Sequence, residues 1–264
     1  MNRRDFLKTS ATIAGGSVAG SGRAATAAQA AEAPVAEFFA TDSVARAGGL
    51  RLPDLKPAQW VWYPSTRCLA NTFVLFRREV RLTEKPRRAT GWIVADSRYR
   101  LEVNGRRVQW GPAPADPRWP EADPLDLTAA LQAGDNVLGA TVLFYGHGDG
   151  TWPIGKPGFL FWLEIEHADG SKETVVSDAT WRALLCRAWQ PGHYKRWFLR
   201  ALQEEFDARL YPHGWTEPGF ALDENWLAAM PLAGSPNAPA LLTKATEYSL
   251  NIHTGPAESE LRPR

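Results

Sequence analysis

Three acidic side chains, Glu204, Glu205 and Asp207, lie close together in the chain. Cleavage of a glycosidic bond needs such a grouping, with one carboxyl as acid and a second as base or nucleophile. Were Leu202–Arg209 a strand, Glu205 and Asp207 would share a face roughly 7 Å apart, one pleat repeat. That separation suits an inverting pair. The same spacing also serves a simpler purpose. Arg209 follows Asp207 by two residues, and a structural ion pair between them at a domain edge is the preferred reading.

A second grouping, His147-Gly148-Asp149-Gly150 with Trp152, offers recognition chemistry instead. Glycine lets a ligand approach the backbone, tryptophan presents a face to a sugar ring, and aspartate supplies oxygens to calcium. An ordinary connection between strands would need only the glycine turn chemistry, and is the plainer alternative. Trp119, on a proline-rich stretch, joins His147, Asp149 and Trp152 as candidate carbohydrate contacts, with Trp215 in reserve. Calcium is the one ion these oxygens suit, and no other cofactor is expected. His193, His213 and His253 lack metal-site spacing. There is no Gly-x-Ser-x-Gly elbow, and no glycine run carries the Lys-Ser/Thr ending of a phosphate loop.

The elements that would carry these residues are strands. Asn104-Gly105 sits between two short runs, the residue pair that a tight type I′ hairpin turn demands. Pairing Val103 with Arg106 puts Leu101 opposite Val108 and Tyr99 opposite Trp110. Tyr99, Leu101, Val103, Val108 and Trp110 then share one face, with Arg98, Arg100 and Glu102 on the other. Trp60, Trp62 and Thr72–Leu82 read as a first pair of strands and Ala89–Ala95 as a third, apolar and central. Gly111–Pro124 reads as a proline-rich loop, too interrupted for a regular strand. A single helical turn opens at Asp126 and stops before Gly134.

Further strands are expected at Val137–Tyr145, Phe159–Glu166, Glu173–Ser177 and Trp181–Arg187, the Asp169-Gly170 turn joining the middle two. Beyond Trp189 the chain becomes irregular, with a short helix expected at Asp223–Met230. About nine short strands with little helix predict an all-β fold. The expected architecture is an antiparallel β-sandwich of the jelly-roll or galactose-binding type.

The string ADSRYRLEVNGRRV, then Gly111-Pro112, then DPLDLTAALQAGDNVLGATVLFYG resembles the amino-terminal β-sandwich region of bacterial α-L-rhamnosidases. So does the later succession EEFDAR (Glu204–Arg209), His213-Gly214-Trp215 and Glu224-Asn225-Trp226. The resemblance runs from about Trp60 to Ala229. It implies that Glu205 and Asp207 fall in a non-catalytic β region, because the catalytic acids of those enzymes sit in a separate helical (α/α)-barrel. Nothing in this chain matches that barrel. A non-catalytic carbohydrate-binding sandwich from a truncated or split glycoside hydrolase is therefore expected, with rhamnose-containing glycans among its partners. The alternatives are a compact glycosidase acting through Glu205 and Asp207, and a structural module that pairs with a separately encoded barrel.

Composition narrows the remaining classes. In 264 residues, 44% are apolar, enough for a substantial core, and the net charge of +1 gives no attraction to nucleic acid or to an anionic membrane. Residues 1–30 read as a twin-arginine signal, with Arg3-Arg4-Asp5-Phe6-Leu7-Lys8 ahead of a weakly apolar stretch and Ala28-Gln29-Ala30 before the cut. The expected destination is the periplasm or the exterior, with the twin-arginine translocase as a transient partner and no membrane association afterwards. Residues 31–56 read as a linker, 57–230 as the sandwich and 231–264 as an irregular tail. After export, Cys68 and Cys186 could form one disulfide or remain two buried thiols.

Overall fold

The computed structural model describes residues 54–117, 120–146, 155–192 and 204–232, and the backbone of 249–251 and 262–263. Its strands in chain order are β1 (Val61–Trp62), β2 (Arg67–Leu69), β3 (Thr72–Leu82), β4 (Arg88–Asp96), β5 (Arg98–Val103), β6 (Arg106–Gly111), β7 (Glu121–Asp126) and β8 (Gly134–Phe144). They continue with β9 (Gly158–Glu166), β10 (Lys172–Val176), β11 (Arg182–Leu185), β12 (Leu227–Ala228), β13 (Met230–Pro231), β14 (Ser249–Asn251) and β15 (Arg262–Pro263).

Two sheets carry the fold. One runs β13-β1-β9-β4-β7-β15, with β10 also on β9; the other runs β12-β11-β3-β8-β5-β6. Every pairing within them is antiparallel except the short parallel contact of β15 with β7. This is the expected antiparallel β-sandwich. Its interior follows from alternation: Val74 and Phe76 on β3, Ala140 and Val142 on β8, and Leu101 on β5 are all fully buried. From the first sheet they meet Ile93, Phe159, Phe161 and Leu163, and the rings of Phe76 and Phe159 stack with centroids 4.9 Å apart. Trp181 closes the end of this core, its ring 5.3 Å from that of Phe161 and its indole donating to the carbonyl of Val176. One polar tie crosses between the sheets, where Tyr99 donates its hydroxyl to Asp123 at 2.6 Å.

The Asn104-Gly105 turn forms as its sequence dictates, both residues having positive φ (51° and 75°), and Val103 pairs with Arg106. The register then slips. Glu102 pairs with Arg107 but Leu101 pairs with Gln109, which leaves Val108 as the extra residue of a β-bulge. Beyond a bulge every side chain on that strand changes face. Trp110 therefore lies opposite Arg100 and stands 70% exposed, and Val108 is exposed as well. The expectation that both share one face with Tyr99, Leu101 and Val103 is corrected here.

Two further expectations are corrected. Part of the proline-rich stretch is a strand, β7, paired with β4 such that Pro124 lies opposite Trp92. The other side of β7 meets β15 only at Glu121 and Ala122, so Pro124 occupies an edge position where its missing N–H costs no ladder bond. The helix expected at Asp223–Met230 is absent. A turn in which Asp223 accepts from the Asn225 amide leads instead into β12 and β13, which extend one sheet each. Both cysteines are free and buried. Cys68 belongs to the core between the sheets and Cys186 to a second cluster on the outer face, and burial pushes the Cys68 thiol up to about 12.

Candidate functional site

Side-chain alternation also defines the outer face of the second sheet. One row across it reads Arg98, Leu143, Phe73; the next reads Trp110, Arg100, Thr141, Leu75, Leu184; a third contains Glu102, Gly139, Arg77 and Arg182. Apolar side chains at these positions need a cover, and residues 204–226 supply it. Trp215 and Trp226 lie in this strap, their rings 5.7 Å apart, and with Phe73, Leu75 and Cys186 they form the second hydrophobic cluster.

The strap is fastened by polar groups as well. Arg77 is 1% exposed; its Nε donates to the carbonyl of Trp215 at 2.8 Å and an Nη to that of Glu217 at 3.1 Å. The Gly105 amide donates to the Thr216 carbonyl, and the Thr216 hydroxyl donates to Glu102. The strap thus covers the half of the face around Arg77, Gly139 and Leu75.

The other half, around Trp110, Arg98 and Thr141, remains a cleft of about 550 Å³. Trp110 forms one end, with the Arg107 guanidinium 4.9 Å from its ring centroid. At the other end Trp189 stacks on Phe73, centroids 4.2 Å apart and planes 9° from parallel, and donates its indole N–H to Glu204 at 2.9 Å. Arg98 lies between them, donating to the Pro112 carbonyl and to the hydroxyl of Tyr145. On the floor the buried Thr141 hydroxyl has no partner. A cleft of this size with aromatic ends and a few converging polar groups is what small-ligand sites are made of. The sequence hides it, because its residues come from four strands and the strap, and the bulge that exposes Trp110 has no signature of its own.

Of the residues singled out in the sequence, Trp119, His147, Asp149 and Trp152 fall outside the described residues. Where the chain resumes after Trp152, the Lys156 amide donates to Oδ2 of Asp96 at 3.0 Å, and the Ser97 hydroxyl holds the other oxygen at 2.7 Å. Trp215 is buried where the strap meets the sheet, its indole N–H bonded to the hydroxyl of Tyr211. Glu205 is exposed. Asp207 caps a short 3₁₀ turn (Ala208–Leu210), and both its oxygens are held by Arg209, at 2.9 and 2.7 Å. Those bonds hold the Asp207 carboxyl below its usual range. Glu205 and Asp207 do not share a regular strand: only Phe206 bridges, to Trp189, before the chain turns. Among the described residues no group of three His, Cys, Asp or Glu side chains could hold a metal ion.

Asp96 carries a testable charge. Burial pushes its carboxyl from 3.8 up to about 6. The unfolded chain releases this proton near the lower value and the folded chain near the higher one. Stability is therefore lost as pH rises between them, by up to about 3 kcal/mol, and no more is lost above. Asp96→Asn, which cannot ionise, should gain on the wild type by up to that amount between pH 4 and pH 7. Urea midpoints at the two pH values measure it, and an unchanged difference would refute the assignment.

The family model of the α-L-rhamnosidase N-terminal domain matches residues 84–247. An α-L-rhamnosidase of Streptomyces avermitilis is 30% identical over 210 residues, covering 69% of this chain and 19% of the relative. Among solved structures, a GH78 family rhamnosidase of Bacillus sp. GL1 is similar with a TM-score of 0.59 at 27% identity, over 79% of this chain and 20% of that one. The α-L-rhamnosidase of Aspergillus terreus gives a TM-score of 0.57 at 27% identity, over 70% of this chain and 22% of that one. The chain thus spans about a fifth of each of these relatives.

Proposed function

The chain belongs to the α-L-rhamnosidase N-terminal domain family, and on that footing we propose that it is a non-catalytic carbohydrate-binding sandwich whose ligands include rhamnose-bearing glycans. The observation that carries this reading is the extent of the family match, which runs from β4 through the rest of the sandwich and takes in the strap. Hydrolysis is not expected from the chain by itself. Of the two carboxylates that could have formed an acid–base pair, Asp207 is committed to Arg209, and a glycosidase needs both groups free to face the scissile bond. Sugar binding is assigned to the loops bearing Trp119, His147, Asp149 and Trp152. Arg3-Arg4 and the small-residue stretch behind them support export by the twin-arginine translocase to the periplasm or beyond.

The test is to titrate the purified protein with rhamnose-containing oligosaccharides by calorimetry and to assay nitrophenyl α-L-rhamnoside. Binding without turnover is expected, with affinity lost in Trp152→Ala because the stacking area disappears. Turnover abolished by Glu205→Gln or Asp207→Asn would overturn the non-catalytic reading. One other reading is a structural module that pairs with a catalytic barrel. Turnover appearing only when such a barrel is added would favour it.

A further inference from the structure

The open half of the outer face has a charge that its own structure does not use. Arg98 is half-buried and always ionised. Its bonds go to two neutral oxygens, the Pro112 carbonyl and the Tyr145 hydroxyl, and no carboxylate among the described residues pairs with it. Its neighbour in the next row differs, since Arg100 has Glu102 at 3.1 Å. A partly desolvated guanidinium normally acquires a carboxylate or phosphate, which its planar fork binds through two parallel hydrogen bonds.

What surrounds Arg98 fits one kind of anion. On one side Trp110 holds an exposed ring at the end of the cleft, a surface for the apolar face of a pyranose. On the other side Phe73 follows Arg98 in the same row with Leu143 between. Two inter-strand spacings, about 10 Å, therefore separate Arg98 from the wall where Trp189 holds Glu204. Glu204 has one oxygen on the Trp189 indole and is an acceptor for hydroxyls; it would repel a second anion placed beside it. The cleft is therefore polarised, with a free positive charge near Trp110, an acceptor at the far end, and an unpartnered hydroxyl on the floor at Thr141.

We propose that this cleft is a second carbohydrate site, and that it takes a uronic acid unit whose carboxylate pairs with Arg98 while its ring lies against Trp110. Glu204 then accepts from a hydroxyl at the opposite end of the sugar. The site rests on the reading of the chain as a sugar-binding sandwich only for the class of ligand.

Calorimetry of the full chain tests it with trigalacturonic acid, the methyl ester of the same trisaccharide, and a neutral rhamnoside in parallel. The acid should bind, and the ester, which removes the charge and adds a methyl group to each carboxyl, should bind about ten- to a hundredfold more weakly. Arg98→Gln should bring the acid to the level of the ester. Trp110→Ala, a change at an exposed ring that leaves the core untouched, should weaken acid and ester together. Equal affinity for acid and ester, no binding of either, or full affinity in Trp110→Ala would overturn the inference. If the neutral rhamnoside binds and the acid does not, the second site fails and the proposed function stands. If the acid binds and the rhamnoside does not, the loop site fails and this one stands.

Discussion

Arg77→Met is expected to lower the unfolding free energy by about 2–5 kcal/mol, from two buried carbonyls left without donors at about 1–3 kcal/mol each. Arg77 is nearly inaccessible, yet it has only one carboxylate near it, Glu79, whose side chain is 65% exposed. Most of its hydrogen bonding goes to the Trp215 and Glu217 carbonyls of the strap. Methionine fills much of the same volume but leaves those two carbonyls without a donor, and buried acceptors without partners are costly. The strap should then loosen over Leu75 and Gly139, exposing Trp215 and Trp226. Urea denaturation followed by tryptophan fluorescence reads both effects, a lower midpoint and a red-shifted native spectrum. Arg77→Lys keeps the charge without the fork and should recover only part of the loss. A change below about 1 kcal/mol in Arg77→Met would show that packing alone holds the strap.

Gly91→Ala should be at least as damaging, for a reason rooted in backbone contact. Gly91 lies mid-strand in β4, opposite Leu163 on β9. A Cβ added there would sit 2.0 Å from the Trp162 carbonyl oxygen and 2.8 Å from the Leu163 Cα. Neither atom can rotate away, since both belong to the backbone of the partner strand. The two strands pair along nine residues, from Arg88 opposite Glu166 to Asp96 opposite Gly158, so one local shift strains a whole ladder. Overpacking of this kind costs about 3 kcal/mol or more. In a domain of this size that is a melting temperature lower by about 10 °C. A melting curve within two or three degrees of the wild type would mean that the ladder bends more easily than its length suggests.

The sequence spoke most clearly where structure is local. Asn104-Gly105 encodes its turn in two adjacent residues, and alternation at the end of β3 separates Val80 and Leu82 from Arg81 without knowledge of any partner. It was silent where structure depends on distant partners. The strap is irregular, has no periodicity to detect, and is held by bonds spanning 138 and 140 residues. The bulge at Val108 is one extra residue of ordinary type, yet it turned Trp110 from the face expected with Tyr99 and Leu101 to the rim of a cleft. Pro124 misled in the other direction, because whether a strand tolerates proline depends on which of its edges is covered. The cleft was beyond reach for all these reasons together. The motif residues that did stand out, Trp119, His147, Asp149 and Trp152, lie on the loops outside the described residues.

That bulge also bears on how the molecule behaves in a crowd. Among the described residues β6 is an outer strand of its sheet, and a strand with one unpaired edge beside an exposed tryptophan invites a second chain to add on and begin a fibre. An extra residue in mid-strand disrupts the even ladder that such addition requires, and the exposed Arg106 and Arg107 set like charges against like at any edge-to-edge meeting of two copies. The irregularity that turns Trp110 outward is thus also what keeps an outward tryptophan from becoming an aggregation hazard.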